Sequence, residues 1–358
     1  MGMVHIIEAT ATGTLSMAAL LANAQASSGG RVEIIYSNRP ETPIDFSNYF
    51  DARVKLTKIQ MSSSKDKLRS LLSIRKALTA SSPNQIFMHS SFAGFLGRIA
   101  SIGILPGTSF FYIPHCISFM RQDIGTLKRI AFIAFEWVAA IKKAEYIACS
   151  DSERQRIATC IPFRKCHLVE NALDFGSIPS FVKIKQASKR RVVITVGQIR
   201  PQKGPEQFSA IAQAVKAADP SINFVWVGDG DPMARQQLEN AGVHVLGWLP
   251  KDEVWRHLGE AQLYLSTAKW EGMPVSVIEA SSAGLPVIAS NCAGNVDVVE
   301  HGKTGWLFQS TDEAVQQVLT ALNNPELAVA QAKMAFDIAQ QRFSVARYVK
   351  EMESLTQL

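Results

Sequence analysis

The feature that most constrains this chain is an alternation kept up along nearly its whole length, in which short β-branched or aromatic runs are followed by longer helical stretches. In the first third VHIIEA precedes LSMAALLANAQA, and VEIIYS precedes a polar loop and KLRSLLSIRKAL. QIFMHS is followed by FLGRIASIG, FFYIPH, a long helical segment from about Gly125 to Lys142, and EYIACS. From Arg191 a second series begins: RVVITVG, a helix from about Pro205 to Ala218, INFVWVG, VHVLGWL, AQLYLST, SVIEASSAG, LPVIAS and a helix-rich tail. Strands alternating with helices are joined by right-handed crossovers and pair in parallel. The expected fold class is therefore α/β, with two doubly wound, Rossmann-like domains in tandem that face each other across a cleft lined by the carboxyl ends of their strands.

A chain of 358 residues supports two such domains, each with a core of its own. The division expected is an N-terminal domain over 1–182, a linker over 183–191, a second domain over 192–340 and a C-terminal segment over 341–358. The linker is placed where KIKQASKRR is polar and basic without apolar periodicity. The last segment holds an amphipathic helix from about Val345, expected to pack back on the first domain.

With 47% apolar and 19% charged residues, the chain is neither disordered nor collagen-like. Its longest apolar segment, IAFIAFEWVAAI at 130–141, is too short for a membrane span and contains Glu136. The start, MGMVHIIEATATG, has no basic leader followed by an apolar region, so a cytoplasmic location is expected. The five cysteines are odd in number and far apart, which fits reduced thiols. Cys160, Cys166 and His167 lie close together without a spacing that completes a tetrahedral metal site. The formal charge of +6 asks for an anionic partner. Nucleic acid is excluded, because the basic residues do not line up with aromatic stacking platforms.

The richest segment for chemistry is TAKWEGMPVSVIEASSAGLPVIASNCAGNVDVVEHGKTGWLF, residues 267–308. The strand AQLYLST ends in a loop with Glu271 and Gly272, and a helix is expected to begin near Pro274, where a missing N–H costs nothing. Gly272 lets a ligand approach the backbone, and the free N–H groups on either side of Pro274, within residues 273–276 from Met273 through Val275 onward, make an anion site reinforced by the helix dipole. Glu279 is placed further along, with two oxygens suited to a ribose diol. Such a cradle suits a nucleotide diphosphate carrying a polyol.

RVVITVG runs into GQIRPQKG, where Gly197 ends a strand and Arg200 and Lys203 follow in one loop. Two cations there would neutralise a diphosphate and stabilise it as a leaving group. In GDGDPM, Met233 stands where a dinucleotide fingerprint needs its third glycine, so Gly228 and Gly230 are read as letting a donor pass close to the strand end. In the first half, Gly13 follows the first strand and opens a helix. His89 and His115 each follow a short strand at the expected cleft edge, whereas His5, His167, His244, His257 and His301 are read as structural. The segment 121–143 carries basic residues at both ends with Phe132, Phe135 and Trp137 between them. It fits an interfacial helix on an anionic lipid surface and a core helix with snorkelling ends equally well.

Glu271 and Glu279, separated by seven residues, together with WEGMPVSVIEASSAGLPVIAS and KTGWLF, resemble the donor-site signature of glycosyltransferase family 4, retaining enzymes of GT-B fold. VITVGQIRPQKG, FVWVGDGD, GWLPKDEV and the YIPHCISFMRQD region extend the resemblance over nearly the whole chain, towards bacterial enzymes that build capsule, exopolysaccharide or O-antigen. The resemblance implies that Lys203 binds the donor diphosphate, Glu279 the ribose, and Glu271 with the backbone of Gly272 to Val275 the donor sugar and phosphate. It further implies that His115 contacts the transferring sugar and that backbone near Gly247 to Leu249 reads the base. Acceptor contacts are implied around His89, Ser90 and Arg121. Two positions depart from the pattern: Gln198 stands where many members have arginine, and Phe92 where a lysine often stands.

The function implied is retaining transfer of a sugar, from a UDP-sugar, to a lipid-linked glycan on the cytoplasmic face of a membrane. The departing diphosphate itself would accept the acceptor's proton. The only Asp-x-Asp, Asp229 to Asp231, belongs to the glycine loop, so neither a metal nor another cofactor is expected. A nucleotide-sugar 2-epimerase of the same fold and a non-catalytic assembly subunit are the competing readings.

Overall fold

The computed structural model describes residues 1–61, 64–183 and 191–356, so most of the expected linker, 184–190, lies outside the described residues. The chain divides into two compact units, Met1–Asn171 with Ala346–Leu358, and Ala172–Val345. The first boundary thus falls between Asn171 and Ala172 and not at 182. The reason is local: Leu173 donates its N–H to the Phe343 carbonyl at 2.8 Å, and Val182 is buried beside Gly259.

The first unit is built on strands β1 (Gly2–Ile7), β2 (Arg31–Tyr36), β3 (Lys55–Lys58), β4 (Gln85–His89), β5 (Ser109–Ile113), β6 (Glu145–Ala148) and β7 (Cys166–Leu168). They form one sheet in the order β3-β2-β1-β4-β5-β6-β7, with every pair parallel. The connecting helices are α1 (Thr12–Ser27), α2 (Ser64–Ser81), α3 (Ser91–Ala100), α4 (Thr126–Ala139) and α5 (Asp151–Cys160). All six residues of β1 are buried, as expected of a central strand covered on both faces. Serines start two of the helices: Ser90 accepts from Ala93 N–H at α3, and Ser150 accepts from Glu153 N–H at α5.

The second unit holds α6 (Ser180–Lys183), β8 (Val192–Val196), α7 (Pro205–Ala218), β9 (Asn223–Val227), α8 (Pro232–Asn240), β10 (Val243–Gly247), α9 (Lys251–Glu260) and β11 (Leu263–Ser266). It continues with α10 (Val275–Ser282), β12 (Val287–Ser290), α11 (Asn295–Val298), β13 (Trp306–Phe308), α12 (Thr311–Asn323) and α13 (Pro325–Arg342). Its sheet, in the order β10-β9-β8-β11-β12-β13, is also parallel throughout. Trp226, Phe208 and Phe224 anchor its core, with rings 5.1–5.7 Å apart. The last helix, α14 (Val345–Thr356), returns to the first unit: Arg347 donates to the carbonyls of Glu170 and Asn171, and Gln85 donates to that of Thr356.

In each sheet the strand order reverses once, between β1 and β4 and between β8 and β11. A parallel sheet opens a crevice at such a reversal, beyond the carboxyl ends of the two strands.

Helix α4 is oriented in a way its sequence conceals. Glu136, expected to interrupt the apolar face, is buried. It is paired with the equally buried Arg98 at 2.7 Å and accepts from the Tyr112 and Tyr146 hydroxyls at 3.0 and 3.2 Å. Phe132 and Ile133 reach the core. Leu127 and Ile141, 85% and 71% exposed, instead face outward with Ile130, Trp137 and Val138. The helix thus turns a buried ion pair, Phe132 and Ile133 towards the core and leaves an apolar stripe on its outer side. Among the described residues no helix is long and apolar enough to cross a membrane.

Candidate active site

The crevice of the second unit is lined by two loops. One runs from Gly197 at the end of β8 through a 3₁₀ turn, Pro201–Lys203, to Gly204; the other runs from Thr267 after β11 to Pro274. They are locked together by the Thr267 hydroxyl, which donates to the carbonyls of Lys203 and Gly204. Gly204 has φ +64°, and a Cβ there would sit 2.1 Å from the Thr267 carbonyl oxygen, so this close approach requires glycine.

On this frame Lys203 Nζ lies 2.7 Å from Glu271 Oε1, and Gln202 donates to Glu271 Oε2 at 3.0 Å. Burial disfavours the lysine's charge, but the Glu271 carboxylate more than offsets this and holds the ammonium above its ordinary range. Arg200, in the same loop, is exposed and forms no ion pair among the described residues. Gln198 is half-buried. Gly272, Met273 and Pro274 are buried, and α10 begins at Val275 without a side-chain cap, close to the expected start. Glu279, buried in α10, is ion-paired to Lys251 at the start of α9, two residues beyond the half-buried Leu249.

Gly228 and Gly230 serve the fold itself, because a Cβ on either would meet a backbone carbonyl of the neighbouring loop, that of Gly197 or Ile199, at 2.1 Å. These glycines let the β9 loop pack against the β8 loop. The two aspartates of this run are also engaged: Asp229 pairs with Arg235 at 2.6 Å, and Asp231 caps α8. Among the described residues no cluster of His, Cys, Asp and Glu is arranged to hold a metal ion.

Sequence reasoning missed several residues here. Gln202 sits in the quoted RPQKG run, and its adjacency to Lys203 was an available signal. Gly294, with φ +88°, comes so close to Glu271 that a Cβ would fall 2.5 Å from the Glu271 Cβ. Cys292 is beside the same pair, and burial pushes its thiol up to about 11, leaving it neutral.

The crevice of the first unit has a different content. His89 ends β4 and His115 follows β5, and the structure joins them: His89 Nδ1 is 3.1 Å from His115 Nε2. His5, expected to be a lone structural residue, completes a row, with its Nδ1 3.0 Å from His89 Nε2 and its Nε2 2.7 Å from Gln25 Oε1. His5 and His89 are buried and His115 half-buried. Burial pushes His5 and His115 down to about 4. Burial and the adjoining rings push His89 well below its ordinary value, so all three are neutral at pH 7.

The corner carrying His115 is strained. Ser90, His115 and Cys116 have φ of +86°, +52° and +90°, a region that side chains other than glycine rarely adopt. The buried Glu153 carboxylate holds it by accepting from the N–H groups of Cys116, Ile117 and Cys149 at 2.7–2.9 Å. Gly13 lies in the uncapped first turn of α1. Arg121 is paired with Asp123, at 2.9 and 2.6 Å, so its charge is already matched. Phe92 is exposed at the start of α3.

Residues 178–337 match the family described as glycosyl transferases group 1. The chain is a glycosyltransferase. It is 28% identical over 258 residues, 68% of this chain and 71% of the other, to an uncharacterized 41.2 kDa protein in the cps region of Klebsiella pneumoniae. It is 27% identical over 267 residues, 68% and 67% of the two chains, to the Escherichia coli UDP-Gal:alpha-D-GlcNAc-diphosphoundecaprenol alpha-1,3-galactosyltransferase. In architecture this glycosyltransferase matches Anabaena HepE, solved with UDP and glucose, with a TM-score of 0.82 over 100% of both chains at 20% identity. The fold is GT-B, and the resemblance to bacterial polysaccharide enzymes read from the motifs holds.

Proposed function

We propose that this glycosyltransferase moves a sugar, with retention, from a UDP-sugar to a lipid-linked glycan in the assembly of a cell-surface polysaccharide. The observation that carries this reading is the Lys203–Glu271 pair, fixed at the β8/β11 reversal four residues before α10. A diphosphate there meets the lysine, the uncompensated Arg200 and the free N–H groups that open α10, all of which favour negative charge. Glu271 has both oxygens engaged, which suits it to holding charge and sugar hydroxyls rather than to forming a covalent glycosyl intermediate. The departing diphosphate then takes the acceptor's proton on the same face, and the cations stabilise it as it leaves. The names of the Escherichia coli and Anabaena proteins support the choice of UDP and of a lipid-linked acceptor.

In the first unit a neutral His115 offers a ring nitrogen to a sugar hydroxyl and is too weak a base to take the proton itself. The outward apolar stripe of α4, flanked by Lys128, Arg129, Lys142 and Lys143, is proposed to rest on an anionic bilayer at its cytoplasmic face, near the lipid-linked acceptor.

Thermal shift with UDP, GDP and ADP tests the donor site. UDP is expected to raise the melting temperature of the wild type without added metal and equally in EDTA, and to lose this effect in Lys203→Ala and Glu279→Ala. An unchanged response in both variants would sink the site, and a shift that appears only with manganese would sink metal independence.

A further inference from the structure

The row Gln25–His5–His89–His115 crosses the first unit from α1 through β1 and β4 to the corner after β5, and two of its members, Gln25 and His5, have no part in the reading above. Adjacent rings are within 13° of coplanar, so each ring nitrogen points at the next ring. His5 is stacked on Phe87 at 4.8 Å and Phe87 on Phe111 at 5.1 Å, which holds the plane of the row.

A neutral imidazole has one donor and one acceptor nitrogen, so a row of neutral rings has a direction. The oxygen of Gln25 can only accept, which places the proton of His5 on Nε2. His5 Nδ1 is then an acceptor, and the proton of His89 must be on its own Nε2. By the same step His89 Nδ1 accepts from His115 Nε2. The row ends at His115 Nδ1, to which no described residue hydrogen-bonds.

We infer that Gln25, His5 and His89 are positioning residues that fix the direction of this row, so that His115 stays protonated on Nε2 and presents a bare Nδ1 as a hydrogen-bond acceptor. A second proton on His5 or His89 would set two N–H donors against each other inside the sheet, which keeps those two rings neutral as well as directed, and burial keeps His115 neutral. The identity of what Nδ1 accepts, a sugar hydroxyl, rests on the function proposed above; the direction of the row does not. A hydroxyl donates readily to such a nitrogen, whereas the reversed tautomer would offer it an N–H and select a different hydroxyl orientation.

Long-range ¹H–¹⁵N spectra of the full chain labelled with ¹⁵N-histidine at pH 7.5 read the tautomers directly. The expected result is three neutral rings protonated on Nε2. Gln25→Leu removes the terminal acceptor and should leave His115 a mixture of tautomers. Gln25→Lys puts a donor in its place and should move the His115 proton to Nδ1. Finding His115 charged or protonated on Nδ1 in the wild type, or unchanged in both variants, would overturn the inference. In transfer assays kcat/KM should fall about tenfold in Gln25→Leu, the scale of one hydrogen bond, and further in Gln25→Lys. His115→Ala separates the two claims. If it retains full activity while the tautomers still respond to Gln25, the sugar contact is wrong and the directed row stands.

Discussion

The two units place opposite chemistry at the same topological position. At the β8/β11 reversal the second unit collects formal charge: Lys203 against Glu271, the unmatched Arg200, and Glu279 with Lys251. At the β1/β4 reversal the first unit has three imidazoles kept neutral by burial. The sheets and crossovers are of one kind, so the crevice is only a location, and the loops that end in it decide what it does. Fixed ions suit a donor whose reacting bond leaves as a diphosphate. A neutral row suits hydroxyl groups, which need direction more than charge.

The largest expected effect that could break this contrast is at Lys203. Lys203→Ala should lower kcat by about 10²–10³ if the ammonium stabilises the leaving group, and should also destabilise the fold by leaving Glu271 buried and unpaired. Lys203→Met combined with Glu271→Gln is expected to regain most of that stability in urea titrations, where loss of one partner of a buried pair costs about 3–5 kcal/mol. Turnover should stay low. A double variant that recovers both would reduce the pair to a structural one.

Acid should separate the units next. A histidine held down to about 4 when folded and near 6.5 when unfolded leaves the unfolded chain binding more protons in that window. Stability from such a group is present above pH 6.5 and is lost as pH falls towards 4, at about 1.4 kcal/mol per pH unit for each histidine. Lys203, held above its ordinary range, stays charged throughout. Calorimetry between pH 7 and 5 should therefore show the first unit's transition moving down ahead of the second's. Transitions that move together would mean the neutral row does not set the first unit's acid response.

The smallest effect on stability is expected outside both crevices. Leu127→Ser with Ile141→Ser should change stability by no more than about 0.5 kcal/mol, since both residues are exposed. The same variant should lose co-sedimentation with phosphatidylglycerol vesicles. Retained sedimentation would remove the membrane face from the first unit.

The sequence made the architecture and the charged crevice legible because both are local. Strand, glycine, cation and helix start follow one another within GQIRPQKG and WEGMPVSVIEA. It concealed the neutral row, whose members at 5, 25, 89 and 115 share no spacing and meet only once β1 lies beside β4. It concealed the direction of α4 for the same reason, since Arg98, the partner that draws Glu136 inward, lies on a different helix. The edge strands β3, β7 and β13 span only three or four residues, too few to show an alternation. At Gly228 and Gly230 the close approach that the structure shows is by the chain's own carbonyls.

The return of α14 to the first unit sets an order on synthesis. The ribosome delivers β1 to β7 early, yet the helix whose Arg347 meets the carbonyls of Glu170 and Asn171 emerges only after the whole second unit. At about 5–20 residues per second the nascent first unit waits roughly 9–35 s for its final element. The first half to be made is the last to be finished, and a stop codon just before Val345 would leave the second unit almost whole while taking a helix from the first.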